Sequence, residues 1–330
     1  MDLNERIIDL MKRNKEIFLS GETMSKEIGI TRSAVWKRVR DLRTRGYTIE
    51  ASPSKGYRLL SAPDILSAQE IKRTLTGACH KNPLIIGKEI HVFQAIDSTN
   101  IKGMELGERG SPEGTIVLTE TQTNGKGRLG RRWISPEGNI YLSIILRPKI
   151  LPSEAPLITL MAAVASASAL RKALNTGVNI KWPNDIILDG KKVGGILTEM
   201  NSETDRINYI VLGIGINVNM DLSILPPDVR ITATTIKEKI GSDIRRTEIL
   251  SLLIKELDRW YKIFLNEGPG PVLDEWRGLS QGIGKKVKVT SLDSVIEGLA
   301  EGIDDYGRLI VRLEGGRVEK VASGDVTVIK

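Results

Sequence analysis

A glycine-rich segment near the middle of the chain carries the residues best suited to chemistry. Between Thr121 and Trp133, which we call the glycine-rich loop, stand three glycines and four cations: Gly125, Gly127, Gly130, Lys126, Arg128, Arg131 and Arg132. Glycines let a backbone approach an anion closely and offer its N–H groups, and guanidinium groups bind carboxylates and phosphates bidentately. The loop therefore predicts a site for two anions at once, such as a carboxylate and a nucleotide phosphate. Trp133 adds a flat face on which a purine could stack.

The same glycines spell the G-x-G-x-x-G pattern of dinucleotide-binding folds, but their context excludes that interpretation. The motif needs a helix that begins at its third glycine, so that the helix N-terminus meets a pyrophosphate. Pro136 and Gly138 follow too closely for such a helix to form. Two other interpretations stay open for the loop, namely an exposed basic loop without a ligand and a second nucleic-acid patch.

Further polar residues follow predicted strands of an α/β region. They are Ser98, Thr99 and Asn100 after a strand over 92–96, and Asn184 and Asp185 after a strand over 178–182. Asp189 and Gly190 are typical of a type I′ turn, which places Lys191 and Lys192 on opposite faces of the next strand. Spacing does not decide which lysine points into a site, and either is more often a solvated surface lysine.

Residues 1–62 predict an N-terminal module of three short helices followed by a strand–turn–strand wing. Gly29 ends the second helix, and Thr31 is placed to cap the third. Two helices joined by a tight glycine-containing turn are typical of a helix-turn-helix. The residues expected to face DNA are Arg32, Ser33, Trp36, Lys37 and Arg40 on the third helix and Lys55 on the wing. A protein-interaction module with a solvated basic face is the alternative.

The charge distribution favours a polyanionic partner for this module. The 330 residues contain 48 Lys and Arg against 41 Asp and Glu, a net charge of +7. Residues 1–60 hold 13 of the basic and 8 of the acidic side chains. Most of the positive excess therefore lies at the N-terminal end, which suits DNA.

Composition also excludes several classes of protein. Hydrophobic residues make up 40% and charged residues 27%, so disorder, collagen and coiled coil are not expected. Cys79 is the lone cysteine, which excludes a disulfide framework or a Cys-built zinc site and suits a reducing compartment. The only two histidines are His80 and His91, so a histidine metal cluster is not expected. The longest mostly apolar stretch, 158–170, is too short to span a bilayer, and the acidic start of the chain is unlike a secretory signal. We therefore expect a cytoplasmic protein with no membrane partner.

Five short motifs resemble those of the biotin–protein ligases. In chain order they are Asp97-Ser98-Thr99-Asn100, Gly125-Lys126-Gly127-Arg128-Leu129-Gly130-Arg131-Arg132-Trp133, Lys181-Trp182-Pro183-Asn184-Asp185, Lys192 with Gly195-Ile196-Leu197, and Gly213-Ile214-Gly215-Ile216-Asn217. Their number and order make the resemblance highly specific. With the winged helix in front, nearly the whole chain is similar to the members of that family that also repress the biotin operon.

The resemblance implies an α+β multidomain protein. Residues 1–62 would be a winged helix-turn-helix DNA-binding domain, and residues 63–278 a central α/β domain that binds biotin and ATP, with a mixed sheet like that of class II synthetases. Residues 279–330 would be a small SH3-like β-barrel. Its strands are expected at 286–290, 307–313, 318–322 and 326–329. The motifs of this last domain are too weak to give any residue a role.

The resemblance also implies the reaction and its partners. The carboxylate of biotin attacks the α-phosphorus of ATP, with Mg²⁺, and gives biotinyl-5′-AMP and pyrophosphate. A lysine of biotin carboxyl carrier protein then takes the biotin. A homodimer loaded with biotinyl-AMP would bind operator DNA, since helix-turn-helix proteins commonly bind two half-sites.

The site residues come from the same resemblance. For biotin they are Ser98, Thr99, Asn100, Gln122, Lys126, Gly127, Arg128 and Lys192, of which Arg128 and Lys192 would be catalytic. For ATP and the adenylate they are Gly125, Arg131, Trp133, Asn184, Asp185 and Asn217, and no residue is assigned as a metal ligand. The family pattern thus selects Lys192 over Lys191.

The sequence departs from the family pattern at position 126. This residue is Lys where the family often has Arg, which keeps the charge but loses the bidentate geometry.

Three functions are compatible with these residues. The leading hypothesis is a ligase that also represses transcription. The alternatives are a ligase whose winged helix no longer regulates and a biotin-sensing repressor without catalysis. Recognition of biotin rather than lipoate or another small acid rests on the resemblance alone.

Overall fold

The computed structural model describes residues 3–14, 16–76, 83–291 and 294–329. Contacts between residues divide the chain into two compact units, Met1–Ile65 and Leu66–Lys330. The boundary predicted after residue 62 lies close to this division, and the one predicted after residue 278 falls inside the second unit. Cys79 and His80, on which the predictions about disulfides, a zinc site and a histidine cluster depend, lie outside the described residues.

The N-terminal unit consists of three helices and a two-stranded wing, as the sequence predicts. Its elements are α1 (Leu3–Arg13), α2 (Gly21–Ile28), α3 (Arg32–Thr44), β1 (Thr48–Ser52) and β2 (Gly56–Ser61). Gly29 ends α2 in the left-handed region, with φ 75°, and Thr31 caps α3 by accepting a hydrogen bond from the Ala34 N–H. The apolar faces of the helices share one core, which includes Met24 and Val35. The opposite face of α3 is left to solvent.

A seven-stranded mixed sheet forms the centre of the second unit, as expected. Its strands are β3 (Ile90–Ile96), β4 (Ile116–Gln122), β5 (Ile140–Leu146), β6 (Val178–Lys181), β7 (Asp185–Leu188), β8 (Lys191–Ser202) and β9 (Ile207–Ile216). Across the sheet their order is β3-β4-β5-β9-β8-β7-β6, with β3 parallel to β4 and the other pairs antiparallel. Strand β5 is buried along its whole length, which explains its nearly unbroken apolar sequence.

Helices complete this unit and share its core. They are α4 (Ala68–Thr76), α5 (Thr99–Glu108), α6 (Ala155–Leu174), α7 (Pro227–Thr232), α8 (Ile236–Ile240), α9 (Arg246–Glu267) and α10 (Gly270–Leu279). Helix α6 packs against α9, and the apolar residues of both join those of the sheet in one cluster. The sheet is therefore held by a continuous core.

Helix α6 corrects one expectation about length. With the turn before it, Pro152–Leu174 is 23 residues long and apolar enough to cross a membrane by length and composition, so the apolar stretch is not too short. However, 67% of its most apolar window is buried inside the unit. Core helices pass the same test, so this helix is weak evidence for a membrane span.

The turn between β7 and β8 has the predicted form, and it places Lys191 and Lys192, between which spacing could not choose, in different environments. Asp189 and Gly190 have φ of 49° and 78°, as a type I′ turn requires. Lys191 then pairs with Leu188, and Lys192 with Ile187. Successive residues of a strand point to opposite faces, and here Lys191 is exposed while Lys192 is half-buried.

The C-terminal part is a five-stranded antiparallel sheet. Its strands are β10 (Lys286–Thr290), β11 (Val295–Ile303), β12 (Leu309–Leu313), β13 (Val318–Val321) and β14 (Asp325–Val328), in the order β13-β12-β11-β10-β14. The sequence predicted four of them and missed β11. Gly298 and Gly302 interrupt its pattern, and a Cβ at Gly298 would lie 2.3 Å from the carbonyl oxygen of Arg312. A glycine at this position lets β11 and β12 approach each other closely. Glycine has a low strand propensity, however, so the sequence did not predict a strand here.

Candidate functional site

A cavity of about 550 Å³ lies within the second unit, beside β8, β9 and the glycine-rich loop. Most of the residues predicted to form a site line it, namely Ser98, Thr99, Asn100, Gln122, Lys126, Gly127, Arg128, Arg131, Trp133, Asn184, Asp185, Lys192 and Asn217. Gly125 does not line it. A volume of this size suits a small molecule with a nucleotide-sized extension.

Hydrogen-bonding residues form one part of the site, which we call the polar pocket: the buried Ser98, Thr99 and Asn100, the half-buried Gln122, and the buried Ser143, which contacts them without lining the cavity. Gln122 Oε1 accepts from the Thr99 N–H at 2.8 Å, and the Ser143 hydroxyl lies 2.7 Å from both Thr99 Oγ1 and Asn100 Oδ1. Ser98 caps α5 by accepting from the Asn100 N–H. Buried polar atoms with fixed partners can pair the N–H and C=O groups of a ligand in one orientation.

The glycine-rich loop closes on itself, and no α-helix begins at its third glycine, which confirms that it is not a dinucleotide-binding motif. Residues Arg128–Gly130 make one turn of 3-10 helix, interrupted by the left-handed Leu129. The Trp133 N–H donates to the Gly125 carbonyl at 2.8 Å. A Cβ on Gly125 would lie 2.4 Å from the Trp133 carbonyl oxygen. Gly125 therefore allows the two ends of the loop to meet.

Three cations of the site already have acidic partners. Lys126 Nζ lies 3.1 Å from Glu199 Oε1, Lys192 Nζ lies 2.5 Å from Asp185 Oδ1, and Arg131 pairs with Asp325 at the start of β14. Arg132 is exposed and donates to the Thr123 carbonyl at 3.0 Å. The site is strongly cationic by composition but largely neutralised by its own carboxylates.

Arg128 differs from these cations because its hydrogen-bond partners are neutral. Its Nη1 donates to Asn184 Oδ1 at 3.1 Å and lies 3.5 Å from the Gly324 carbonyl oxygen. Burial lowers the pKa of Arg128, and the nearby Asp325 and Asp185 carboxylates oppose that change. A desolvated guanidinium that hydrogen-bonds only to neutral groups gains most when an anion arrives.

The Trp133 indole lies against Gly195 and Gly215, two residues of the sheet that have no side chain. Gly195 and Gly215 are directly paired on β8 and β9, and a Cβ on Gly215 would lie 2.7 Å from the indole. Lys192 Nζ lies 5.4 Å from the centre of the Trp133 ring, within cation–π range. The indole Nε1 is buried without a hydrogen-bond partner in the described part of the chain. These two glycines and the tryptophan define the width of the cavity.

The residues predicted to contact DNA lie together on the N-terminal unit. Arg32, Ser33, Trp36, Lys37 and Arg40 are all exposed on α3, and Lys55 is exposed between β1 and β2. Lys55 and Arg58 lie 5.9 Å and 4.6 Å from the centre of the Phe18 ring. Helix α3 and the wing thus each present exposed cations within this unit.

Comparisons with known proteins agree with these features. Family models match residues 92–217 as the biotin/lipoate A/B protein ligase family, residues 4–58 as an HTH domain and residues 282–328 as the biotin protein ligase C-terminal domain. The bifunctional ligase/repressor BirA of Bacillus spizizenii is 37% identical over 325 residues, which cover 98% of each chain. The chain belongs to the bifunctional biotin protein ligases.

Other relatives of this biotin protein ligase extend the agreement. The bifunctional ligase/repressor BirA of Escherichia coli is 33% identical over 90% of this chain and 89% of its own. The solved biotin protein ligase of Aquifex aeolicus, in complex with biotin and ATP, is 28% identical with a TM-score of 0.63. It covers 74% of this chain and 99% of its own. The fold class predicted from the sequence is therefore confirmed.

The structure also adds cavity residues of the ligase that the sequence analysis missed. One group lies between β9 and α8, and another begins β14; together they are Met220, Leu225, Asp228, Val229, Thr232, Ala233, Asp325, Val326 and Thr327. Asp325 is distant in the sequence from its partner Arg131, so no local spacing connects them. Among the described residues, no group of three or more His, Cys, Asp or Glu side chains is arranged to hold a metal ion.

Gly213 on β9 is expected to tolerate no side chain. A Cβ there would stand 2.0 Å from Asn100 Oδ1 and would force Asn100 out of the polar pocket. We expect Gly213→Ala to weaken biotin binding by about tenfold or more, because buried polar groups would lose their partners. Titration calorimetry with biotin measures this. Gly278→Ala, on α10 where a Cβ meets nothing within 4 Å, is the control; biotin affinity unchanged in Gly213→Ala would contradict the assignment.

Asp325 is expected to tether the glycine-rich loop of the ligase. The hydrogen bond from Arg131 is the main cause of the lowered pKa of Asp325, so the carboxylate stays ionised near neutral pH. Both side chains are partly exposed, and such pairs contribute little to global stability. We expect Asp325→Asn to speed tryptic cleavage after Arg131 and Arg132 by about two- to fivefold. Asp305→Asn, an exposed change in the same β-sheet domain, should leave that rate unaltered; equal rates in both variants would count against a tether.

Proposed function

We propose that this ligase joins biotin to AMP and then to a protein lysine. Biotin and MgATP would react to give biotinyl-5′-AMP and pyrophosphate, and the biotinyl group would pass to a lysine of biotin carboxyl carrier protein. The observation that carries this proposal is that one cavity holds both the polar pocket and the half-buried Arg128 with neutral partners. The first suits the ureido ring of biotin, and the second suits an anion that forms beside it.

In the first step, one carboxylate oxygen of biotin attacks the α-phosphorus of ATP while the bond to pyrophosphate breaks. Ser98, Thr99, Asn100 and Gln122 would hold the ureido ring. Lys126, Gly127 and Arg128 would wrap the carboxylate and then the adenylate phosphate. Negative charge builds up between two anions during this step, and Arg128 and Lys192 would stabilise it.

The remaining predicted residues would place the nucleotide. Arg131, Asn184, Asp185 and Asn217 line the same cavity, and Trp133 would face the adenine once it leaves the two glycines of the sheet. Gly125 would act through the closure of the loop. Mg²⁺ would enter with ATP as part of the substrate, with Asp185 the carboxylate available beside Lys192.

In the second step, the neutral amine of the acceptor lysine attacks the acyl carbon of biotinyl-AMP. An amide bond forms, AMP leaves with the bonding electrons of the acyl–oxygen bond, and the amine loses a proton. Because the adenylate would be hydrolysed by water, a loop that closes over it is an advantage. The self-closing hydrogen bonds of the glycine-rich loop are consistent with that role.

We further propose that the protein loaded with biotinyl-AMP is a homodimer that represses biotin-synthesis genes in the cytoplasm. The cationic surface of α3 and the wing supports DNA binding. The two alternatives are a ligase with a non-regulatory winged helix and a biotin sensor without catalysis.

The test of the ligase is ATP–pyrophosphate exchange with biotin, lipoate and octanoate in parallel. We expect exchange with biotin alone, and exchange with none of the acids would support the sensor. Duplex DNA from upstream of biotin-synthesis genes tests the repressor. If biotin plus ATP leaves the affinity for this DNA unchanged across salt concentrations, the regulatory role is wrong.

A further inference from the structure

Trp36 on α3 is an unusual residue to expose to solvent. It is 56% exposed, whereas Trp182, Trp260 and Trp276 in the second unit are at most 6% exposed. It takes no part in the core cluster of the N-terminal unit. A large aromatic ring that stays outside the apolar core of its own unit points to contact with a partner.

Arg40 lies one helical turn after Trp36, on the same face. Its guanidinium carbon is 5.5 Å from the centre of the Trp36 ring, within cation–π range. No ion pair of Arg40 occurs among the described residues, in contrast to Arg45, which pairs with Asp41 at 3.1 Å. The ring therefore orients the guanidinium, whose donors have no hydrogen-bond partner among the described residues.

Charge and shape on this face indicate the nature of its partner. Arg32 and Arg40 lie one helical turn before and one turn after Trp36, Lys37 follows it directly, and the first turn of α3 has no acidic residue. An exposed helix that follows a helix-turn-helix turn enters the major groove, where a guanidinium pairs bidentately with O6 and N7 of guanine. Lysine is a point charge with a flexible stem, so Lys37 suits a phosphate.

We propose that Arg40 is a specificity-determining residue that recognises a guanine in the operator, and that Trp36 is the positioning residue that holds its guanidinium for that contact. This inference rests on the proposed DNA-binding function and assigns separate tasks within it. Holding the guanidinium before binding reduces the entropy lost on contact, which increases discrimination between bases as well as affinity.

The test is selection from a random duplex library by the full-length protein with biotin and ATP, followed by measured affinities for the selected site and its single-base changes. We expect a fixed guanine in each half-site, and we expect Arg40→Ala to lose about tenfold discrimination at that position only. Trp36→Ala should lose most of the same discrimination, and Trp36→Phe should restore much of it. Lys37→Ala should weaken all sequences alike and lower the salt slope by about one.

Arg45→Ala is the matched control, because it removes another exposed arginine, directly after the C-terminal end of α3. It should leave base preference unchanged, and thermal unfolding should confirm that all variants fold. Unaltered guanine preference in Arg40→Ala or in Trp36→Ala would overturn the assignment while leaving DNA binding intact. A wild-type protein that selects no sequence would overturn the repressor function and this inference with it.

Discussion

Replacement of Lys192 with alanine should lower biotin-dependent ATP–pyrophosphate exchange by about a hundredfold or more. The lysine ammonium pairs with Asp185 and lies within cation–π range of the Trp133 ring, in the lining of the cavity. Its loss removes a cation from the place where two anions must meet. It also leaves the Asp185 carboxylate without its partner, so the site would repel ATP in addition to losing stabilisation.

The neighbouring lysine provides a control for this prediction. Lys191→Ala removes the same charge one residue away, on the opposite face of β8, and should leave the exchange rate within about twofold because exposed charges are screened. Lys192→Arg keeps the charge and should retain part of the activity. Comparable losses in Lys191→Ala and Lys192→Ala would show that net charge matters and not position.

Replacement of Arg128 with alanine should release biotinyl-AMP about ten- to a hundredfold faster. Its guanidinium is half-buried and its hydrogen-bond partners are neutral, so a phosphate would be its first charged hydrogen-bond partner. Loss of a charge-assisted bidentate contact acts mainly on the dissociation rate. Release of labelled biotinyl-AMP into an excess of unlabelled ligand measures this rate.

Two variants separate geometry from charge at this position. Arg128→Lys keeps a cation but not the planar fork, so its release rate should lie between those of the wild type and Arg128→Ala. Arg132→Ala removes an exposed arginine of the same loop, whose hydrogen bond goes to the Thr123 carbonyl, and should change release by less than about twofold. An unchanged release rate in Arg128→Ala would contradict the role proposed for it.

Local signals in the sequence were sufficient for the N-terminal unit and for the turn before β8. Gly29, Thr31 and the Asp189-Gly190 pair act through backbone conformation and capping, which neighbouring residues determine. The helix-turn-helix, the type I′ turn and the exclusion of a dinucleotide fold were therefore predicted correctly.

Contacts between distant residues were not predictable in the same way. Spacing could not choose between Lys191 and Lys192, because the choice depends on which face of β8 borders the cavity. The Arg131–Asp325 pair joins the glycine-rich loop to the C-terminal sheet, and neither residue signals its partner. Strand β11 was missed because Gly298, which permits close approach to Arg312, lowers the apparent strand propensity.

The pairing of Lys126, Arg131 and Lys192 with Glu199, Asp325 and Asp185 has a consequence for turnover. When an anionic substrate enters this site, each of these cations exchanges its carboxylate partner for an oxygen of the substrate. Dissolved salt therefore screens the ion pairs of the empty site and those of the occupied site to a similar extent. Nucleotide affinity should therefore fall less with ionic strength than the number of cations would suggest. When AMP departs at the end of the second step, the three carboxylates can return to their cations, so the emptied site does not hold this product by unbalanced charge.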